Sequence, residues 1–528
     1  MAVDDGSVAW VLAAVALILI LSNLGNIYLW QDEAETALLS ERMAEYGLPL
    51  AFDGRNLIRQ APKDVQYTAD FVWVYHPWLP FYFTAASLTL LGPTTFAARL
   101  PYALAGWATV MLLYWSVRRH FRDRRLALLS AVLLLMCVPF LLHSRQCKYF
   151  AFAALFTVAA IDAYLLLLGD SPPPWASPYF IVASFCLFQS NFGAFVPLMV
   201  ALGAHFVLQR PRWRQLARMI VRVGIVGAFT VPWAIYLETW ARGRFAFDVY
   251  RFVGHVVHYM VYITGWVFPV PVGVLFVLLL PTLWKRLRRS EFSAVLLFLL
   301  VIGVTIVFLS ATFIWMYFSY IVQLVPLLVV LVALTLLWVM DRRRALGYAL
   351  LVVLLTTNVL HIFPYVLPIA RAFKWASLAP RPYLAETDSL IEFAGQLRSE
   401  LGSYLYELTH DYDSPDEGIA LYLREHAEPG DMVVMNYGEL PVAFYTGLDI
   451  AGGLSGYRLE QLSNPRWVIN RREGPYRDEM ERIIAGGGYQ PVEIPYPDIL
   501  WGNRPVPEYH KYATVHGVPN VVIHQLVD

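Results

Sequence analysis

Apolar residues run along this chain in blocks of roughly 17 to 25, the length a helix needs to cross the hydrocarbon core of a bilayer. The blocks fall near residues 8–30, 98–117, 126–142, 149–168, 178–190, 193–209, 219–237, 260–283, 292–311, 315–338 and 345–363. The first lacks a basic leader and a small-residue cleavage site, so it reads as a retained span. Between the first two blocks, residues 31–97 carry acidic and turn residues, then His76-Pro77-Trp78-Leu79-Pro80 and a short aromatic stretch to Leu91. That stretch is too short to cross and predicts an interfacial helix. Residues 238–259 alternate arginine with aromatics and read as juxtamembrane. From about residue 375 the chain turns polar. Gly418–Glu425, Asp431–Met435 and Val442–Tyr445 predict helix, strand and helix, with further strands near Trp467–Asn470 and Val521–Leu526. The expected fold class is a polytopic α-helical membrane protein of about 11 spans (residues 1–370, with 31–97 as the first outer loop), followed by a soluble α/β domain over 375–528.

Charge orients this pattern. Seventeen of the 40 basic residues sit in four clusters between apolar blocks: Arg118–Arg125, Arg210–Arg222, Lys285–Arg289 and Arg342–Arg344. Lys/Arg-rich loops beside spans stay cytoplasmic. Four, two and two blocks separate successive clusters, so all four can share one side. The N-terminus is then cytoplasmic, and the first loop and the tail are extracytoplasmic, in a cell (inner) membrane. A composition of 58% hydrophobic and 15% charged residues excludes an ordinary soluble domain, and nothing in it suits nucleic acid. Cys137, Cys147 and Cys186 have no metal-ligand spacing and read as packing residues.

The candidate chemistry follows from the side assignment. Asp32 and Glu33 come directly after the first block, on the outer side, either as a solvated helix end or as a general base for an acceptor hydroxyl or amine. Arg99 is expected at the outer end of the second span, and Arg145 and Lys148 where the third leaves the membrane. Each alone reads as a snorkelling cation. Together they suit a phosphate-bearing lipid, arginine offering paired contacts and lysine a point charge. His76 reads as a ligand or a turn residue. His255 and His258, at i and i+3, could share a divalent metal or an acceptor phosphate. No third ligand is apparent from spacing, so no cofactor is certain and metal dependence stays open.

The first span followed by Asp32-Glu33-Ala34, then His76-Pro77-Trp78-Leu79-Pro80, then Arg99-Leu100-Pro101 resembles the GT-C membrane glycosyltransferases of family 39. These include the protein O-mannosyltransferases and the lipid A aminoarabinose transferase. The resemblance covers about the first 170 residues. Two positions depart from the family pattern: Trp78 stands where His-Pro-Pro is commoner, and Gln146-Cys147-Lys148-Tyr149 has lysine where some bacterial relatives have arginine.

The resemblance implies inverting transfer of a sugar from a polyprenyl-phosphate donor to a lipid, glycan or protein acceptor on the outer face. Asp32 matches the proposed base and Glu33 a residue that orients the site. Arg99, Arg145 and Lys148 match cations expected at the donor phosphate. Two readings from other classes stand beside it. One is a lipid-linked saccharide flippase, disfavoured because mid-span charge is scarce, Asp162 being the exception. The other is a non-catalytic assembly or sensor protein.

Overall fold

A computed structural model describes residues 5–60, 65–239, 247–361, 397–462, 465–506 and 509–527. The expected domain boundary near 370–375 lies outside these residues. The helical part begins with α1 (Asp5–Leu21), α2 (Gln31–Tyr46), α3 (Leu79–Leu91) and α4 (Thr95–Phe121). It continues with α5 (Arg124–Leu135), α6 (Val138–Ser144), α7 (Phe150–Leu167), α8 (Ala176–Phe188), α9 (Phe192–Leu208) and α10 (Trp213–Tyr236). It closes with α11 (Val249–Trp266), α12 (Val270–Arg286), α13 (Arg289–Thr312), α14 (Val325–Arg342) and α15 (Arg344–Thr356). Among the described residues five of these segments are long and apolar enough to cross a membrane singly, and two bent pairs bring the number to seven. The remaining apolar helices are shorter. The described residues therefore supply five to seven helices of membrane-crossing length, against the eleven expected.

Three expected spans differ in shape. The block at 8–30 stops being helical at Leu21 and turns through 22–30, with Asn23 in the left-handed region at φ 54°. The block at 126–142 breaks at Met136-Cys137, where Pro139 starts a new helix, and α5 and α6 meet at 66°. The block at 260–283 is divided between α11 and α12, bent by 103° around Phe268-Pro269. In both breaks a proline lacks the N–H that would continue the ladder, while the hydropathy runs on through it.

Burial sorts the helices. In an apolar 18-residue stretch of Phe318–Arg342, 94% of the residues are buried, at the centre of the bundle, whereas in that of Trp213–Tyr236 only 17% are, and Ile220, Val221, Phe229 and Ile235 stay exposed, as on a lipid-facing helix. The opposite anomaly is α2. It carries Gln31, Glu33, Glu35, Thr36, Ser40 and Arg42 among its buried positions. Burying so many polar groups costs free energy unless each is paired. It is packed against α3 and against the C-terminal domain.

That domain is built on a five-stranded sheet in the order β2-β1-β3-β5-β4. The strands are β1 (Met432–Met435), β2 (Asp449–Gly452), β3 (Trp467–Ile469), β4 (Tyr489–Pro497) and β5 (Asn520–Leu526). β1 pairs parallel with β2 and β3, while β5 runs antiparallel to β3 and β4. Helices α16 (Glu400–Glu407), α17 (Pro415–His426), α18 (Glu439–Thr446) and α19 (Arg477–Gly486) complete it. The expected helix, strand, helix order over 418–445 is present, as are the strands at 467 and 521.

The sheet domain sits on the first loop. The Leu29 N–H donates to the Tyr445 hydroxyl at 2.9 Å, and that hydroxyl also meets Thr95 Oγ1 at 2.6 Å. Asn56 Nδ2 donates to the Leu448 carbonyl at 2.9 Å, and its Oδ1 accepts from the Ile450 N–H at 2.9 Å. The first loop and the tail therefore occupy one side of the bundle.

Candidate active site

Asp32 and Glu33 occupy the first turn of α2, where a carboxylate favours the positive end of the helix dipole. They face different surroundings. Glu33 is fully buried and accepts two hydrogen bonds from Arg99, Nε to Oε1 at 2.8 Å and Nη2 to Oε2 at 2.7 Å. The Cys147 N–H donates to its Oε1 at 2.8 Å. Arg99 Nη1 also donates to the Leu24 carbonyl at 3.1 Å. One carboxylate thus ties α2 to α4 and to the turn between α6 and α7.

The same turn is held from other sides. Arg145 donates to the carbonyls of Ile20 (2.9 Å), Ser22 (2.7 Å) and Asn23 (3.1 Å), closing the C-terminal end of α1 with a cation. Gly106 on α4 lets α6 approach, since a Cβ there would lie 2.5 Å from Ser144 Cβ. Gln146 accepts from Trp30 Nε1 at 2.6 Å and donates to the Asn503 carbonyl at 3.0 Å.

These contacts frame an open cavity of about 190 Å³ beside the α2 N-terminus. Asp32, Glu35, His76, Lys148 and Arg504 line it, together with Tyr75, Tyr149, Tyr317 and Tyr320. Lys148 Nζ lies 2.7 Å from Glu35 Oε1 and 3.2 Å from the Asp32 carbonyl, and His76 Nδ1 is 3.4 Å from Glu35 Oε1. Burial works against the Lys148 ammonium, but Glu35 and Asp32 outweigh it and hold its pKa above the ordinary lysine value. Burial also lifts Glu35 above the usual carboxylate range, with Lys148 opposing and Asp32 adding to the effect. The two directions agree, because two carboxylates around one ammonium leave excess negative charge in buried space.

Of the sequence-predicted residues, then, Asp32, Lys148 and His76 share the cavity. Glu33 lies behind it with Arg99, and Arg145 is committed to the end of α1. His255 and His258 stand on α11 and do not line the cavity. His258 meets the Tyr262 ring edge-on at 4.4 Å. Among the described residues no group of three or more His, Cys, Asp or Glu is arranged to hold a metal, so no third ligand joins the two histidines. Glu35 and Arg504 were not singled out by the sequence. Glu35 had a signal, its i+3 spacing from Asp32 on one helix face. Arg504 had none, since only the docked tail brings it here.

Residues 75–236 match the sequence model of the dolichyl-phosphate-mannose-protein mannosyltransferase family. No curated protein sequence matches the chain. The fold is that of ArnT from Cupriavidus metallidurans. The structure bound to undecaprenyl phosphate superposes with a TM-score of 0.59 at 13% identity, covering 99% of each chain. The apo structure of the same protein gives 0.58 at 14% identity, covering 98% of each. The Archaeoglobus fulgidus oligosaccharyltransferase solved with zinc and sulfate gives 0.45 at 12% identity, covering 88% of this chain and 68% of that one. Segment match and fold point the same way: the chain has the fold of ArnT over its whole length, and within it residues 75–236 carry the sequence pattern of the mannosyltransferase family model.

Proposed function

We propose that the protein transfers a sugar, with inversion, from a polyprenyl-phosphate donor to a lipid, glycan or protein acceptor on the extracytoplasmic face. The observation that carries this reading is the division of labour in Asp32-Glu33. Glu33 is locked by Arg99 and the Cys147 N–H, while Asp32 lines a cavity shared with Lys148 and four tyrosines. The undecaprenyl phosphate bound by ArnT supports a lipid phosphate as the donor carrier.

In this reaction Asp32 takes the proton from the acceptor hydroxyl or amine, whose heteroatom attacks the sugar C1. The C1–O bond to phosphate breaks on the opposite face, and its electron pair leaves with the lipid phosphate. Cations placed where that charge develops lower the barrier. The tyrosine rings offer flat apolar faces to a sugar, and their hydroxyls offer hydrogen bonds.

Asp32→Asn tests the reading. With purified protein, polyprenyl-phosphate sugar and an acceptor fraction, transfer is expected to fall by about 10²–10⁴-fold, as removal of a general base does. The thermal melt should stay near wild type. Transfer at the wild-type rate would remove Asp32 from the mechanism.

A further inference from the structure

A phosphate leaving group needs a cation that is not already committed to a carboxylate or to a helix end. Lys148 is held by Glu35 and the Asp32 carbonyl, Arg99 by Glu33, and Arg145 by the end of α1. Arg504 differs. It lines the same cavity as Asp32, which acts on it through space, and among the described residues no carboxylate forms an ion pair with it. Its guanidinium carbon lies 4.6 Å from the centre of the Tyr317 ring and 4.9 Å from that of Tyr509. Tyr317 also accepts a side-chain hydrogen bond from it, and tyrosine partners, being neutral, leave the guanidinium charge for an anion.

The loop that carries Arg504 is fixed on both flanks. Before it, Asn503 donates through Nδ2 to the Tyr28 carbonyl and accepts at its own carbonyl from Gln146 Nε2. After it, His510 pairs through Nε2 with Glu407, its Nδ1 lies 3.1 Å from the Arg504 carbonyl, and the Lys511 N–H reaches back to Gly502 at 2.7 Å. Tyr28 and Gln146 belong to the segments that present Asp32 and Lys148. The tail is thus referenced to the same framework as the proposed base.

We infer that Arg504, supplied by the C-terminal domain, is a ligand of the donor's phosphate, so that the sheet domain completes the active site. Resting on the donor reading above, this assigns the anion contact to a guanidinium able to grip two phosphate oxygens at once. Lys148 then organises the carboxylates and sets the local charge.

The test is direct binding of a short-chain polyprenyl phosphate to the full-length protein in detergent, with the matching polyprenol as control. Arg504→Ala is expected to weaken phosphate-lipid binding about tenfold or more, and Arg504→Lys, which keeps charge but not the fork, about threefold. Polyprenol binding should be the same for all three proteins. If wild type prefers the phosphate lipid and both variants bind it equally well, the assignment is overturned while the donor reading stands. If wild type shows no preference for phosphate lipid over polyprenol, the donor reading falls and this inference with it. A melting curve separates loss of binding from loss of fold, and Arg504→Lys decides the question if the alanine variant unfolds.

Discussion

Asp32 and Glu33 are adjacent, chemically near-identical, and placed in opposite surroundings by a quarter-turn of helix. Glu33 has no exposed surface, and Arg99 is 4% exposed, so removing one charge strands the other in a medium where it cannot be solvated. Breaking such a buried pair costs about 3–5 kcal/mol. Glu33→Gln is therefore expected to lower the unfolding temperature of the detergent-solubilised protein far more than Asp32→Asn. Equal melting curves for the two variants would contradict the buried pairing. The sequence made the acidic couple and the three motifs legible, because type and order survive without a structure. It did not make legible which carboxylate is buried. Glu35 illustrates the reason: on a helix rich in Glu and Arg the plain expectation is a solvated end, and only the neighbours reveal otherwise.

Among elements, α2 depends on the sheet domain for part of its cover. Gln31 Nε2 donates to Glu439 Oε1 at 2.5 Å across that contact, and both residues are buried. Burial pushes the Glu439 pKa up from its ordinary 4.5 to about 7. A raised carboxyl pKa means that the docked state binds the proton more tightly than the open one. Its contribution is complete below pH 4.5 and is lost as pH rises through about 7. Hydrogen exchange in α2 and α18, corrected for intrinsic rates, should quicken between pH 5.5 and 8 in wild type. Glu439→Gln should flatten that dependence. A pH profile unchanged by the substitution would show that another group controls docking.

Element legibility had a similar limit. The helix, strand, helix run over 418–445 carries its own turn at Pro429-Gly430 and was readable. β4 was not, since Pro491, Pro495 and Pro497 argue against a strand. It exists as an edge strand, where the missing donors face away from a partner. The bends at Pro139 and Pro269 were hidden because hydropathy measures composition and has no term for direction.

For the whole molecule, the parity of basic clusters implied a single cytoplasmic side. Arg125 of the first cluster meets Asp341, next to the last cluster, at 2.8 Å, which brings these two ends together. Asp162, the charged exception in the fourth apolar block, is satisfied by Arg119 Nη1 and His120 Nε2, each at 2.8 Å. That pairing gives it a structural partner and removes the feature that most resembled a transport pathway. A cysteine replacing exposed Asp70 should react with a membrane-impermeant maleimide in intact cells, and one replacing exposed Arg288 only after permeabilisation. The reverse pattern would invert the orientation and leave the proposed reaction on the wrong face.

The early stop of α1 has a consequence for the surrounding lipid. Its 17 residues measure about 25 Å along the axis, against about 30 Å of hydrocarbon in an ordinary bilayer. Arg145 pins the end at Leu21, so the helix cannot lengthen at that end. A span shorter than the hydrocarbon it crosses is met by thinning of the lipid around it. A carrier with a very long tail can keep that tail in oil and still bring its headgroup to the protein. Membrane thickness is then a variable on which the proposed transfer should depend.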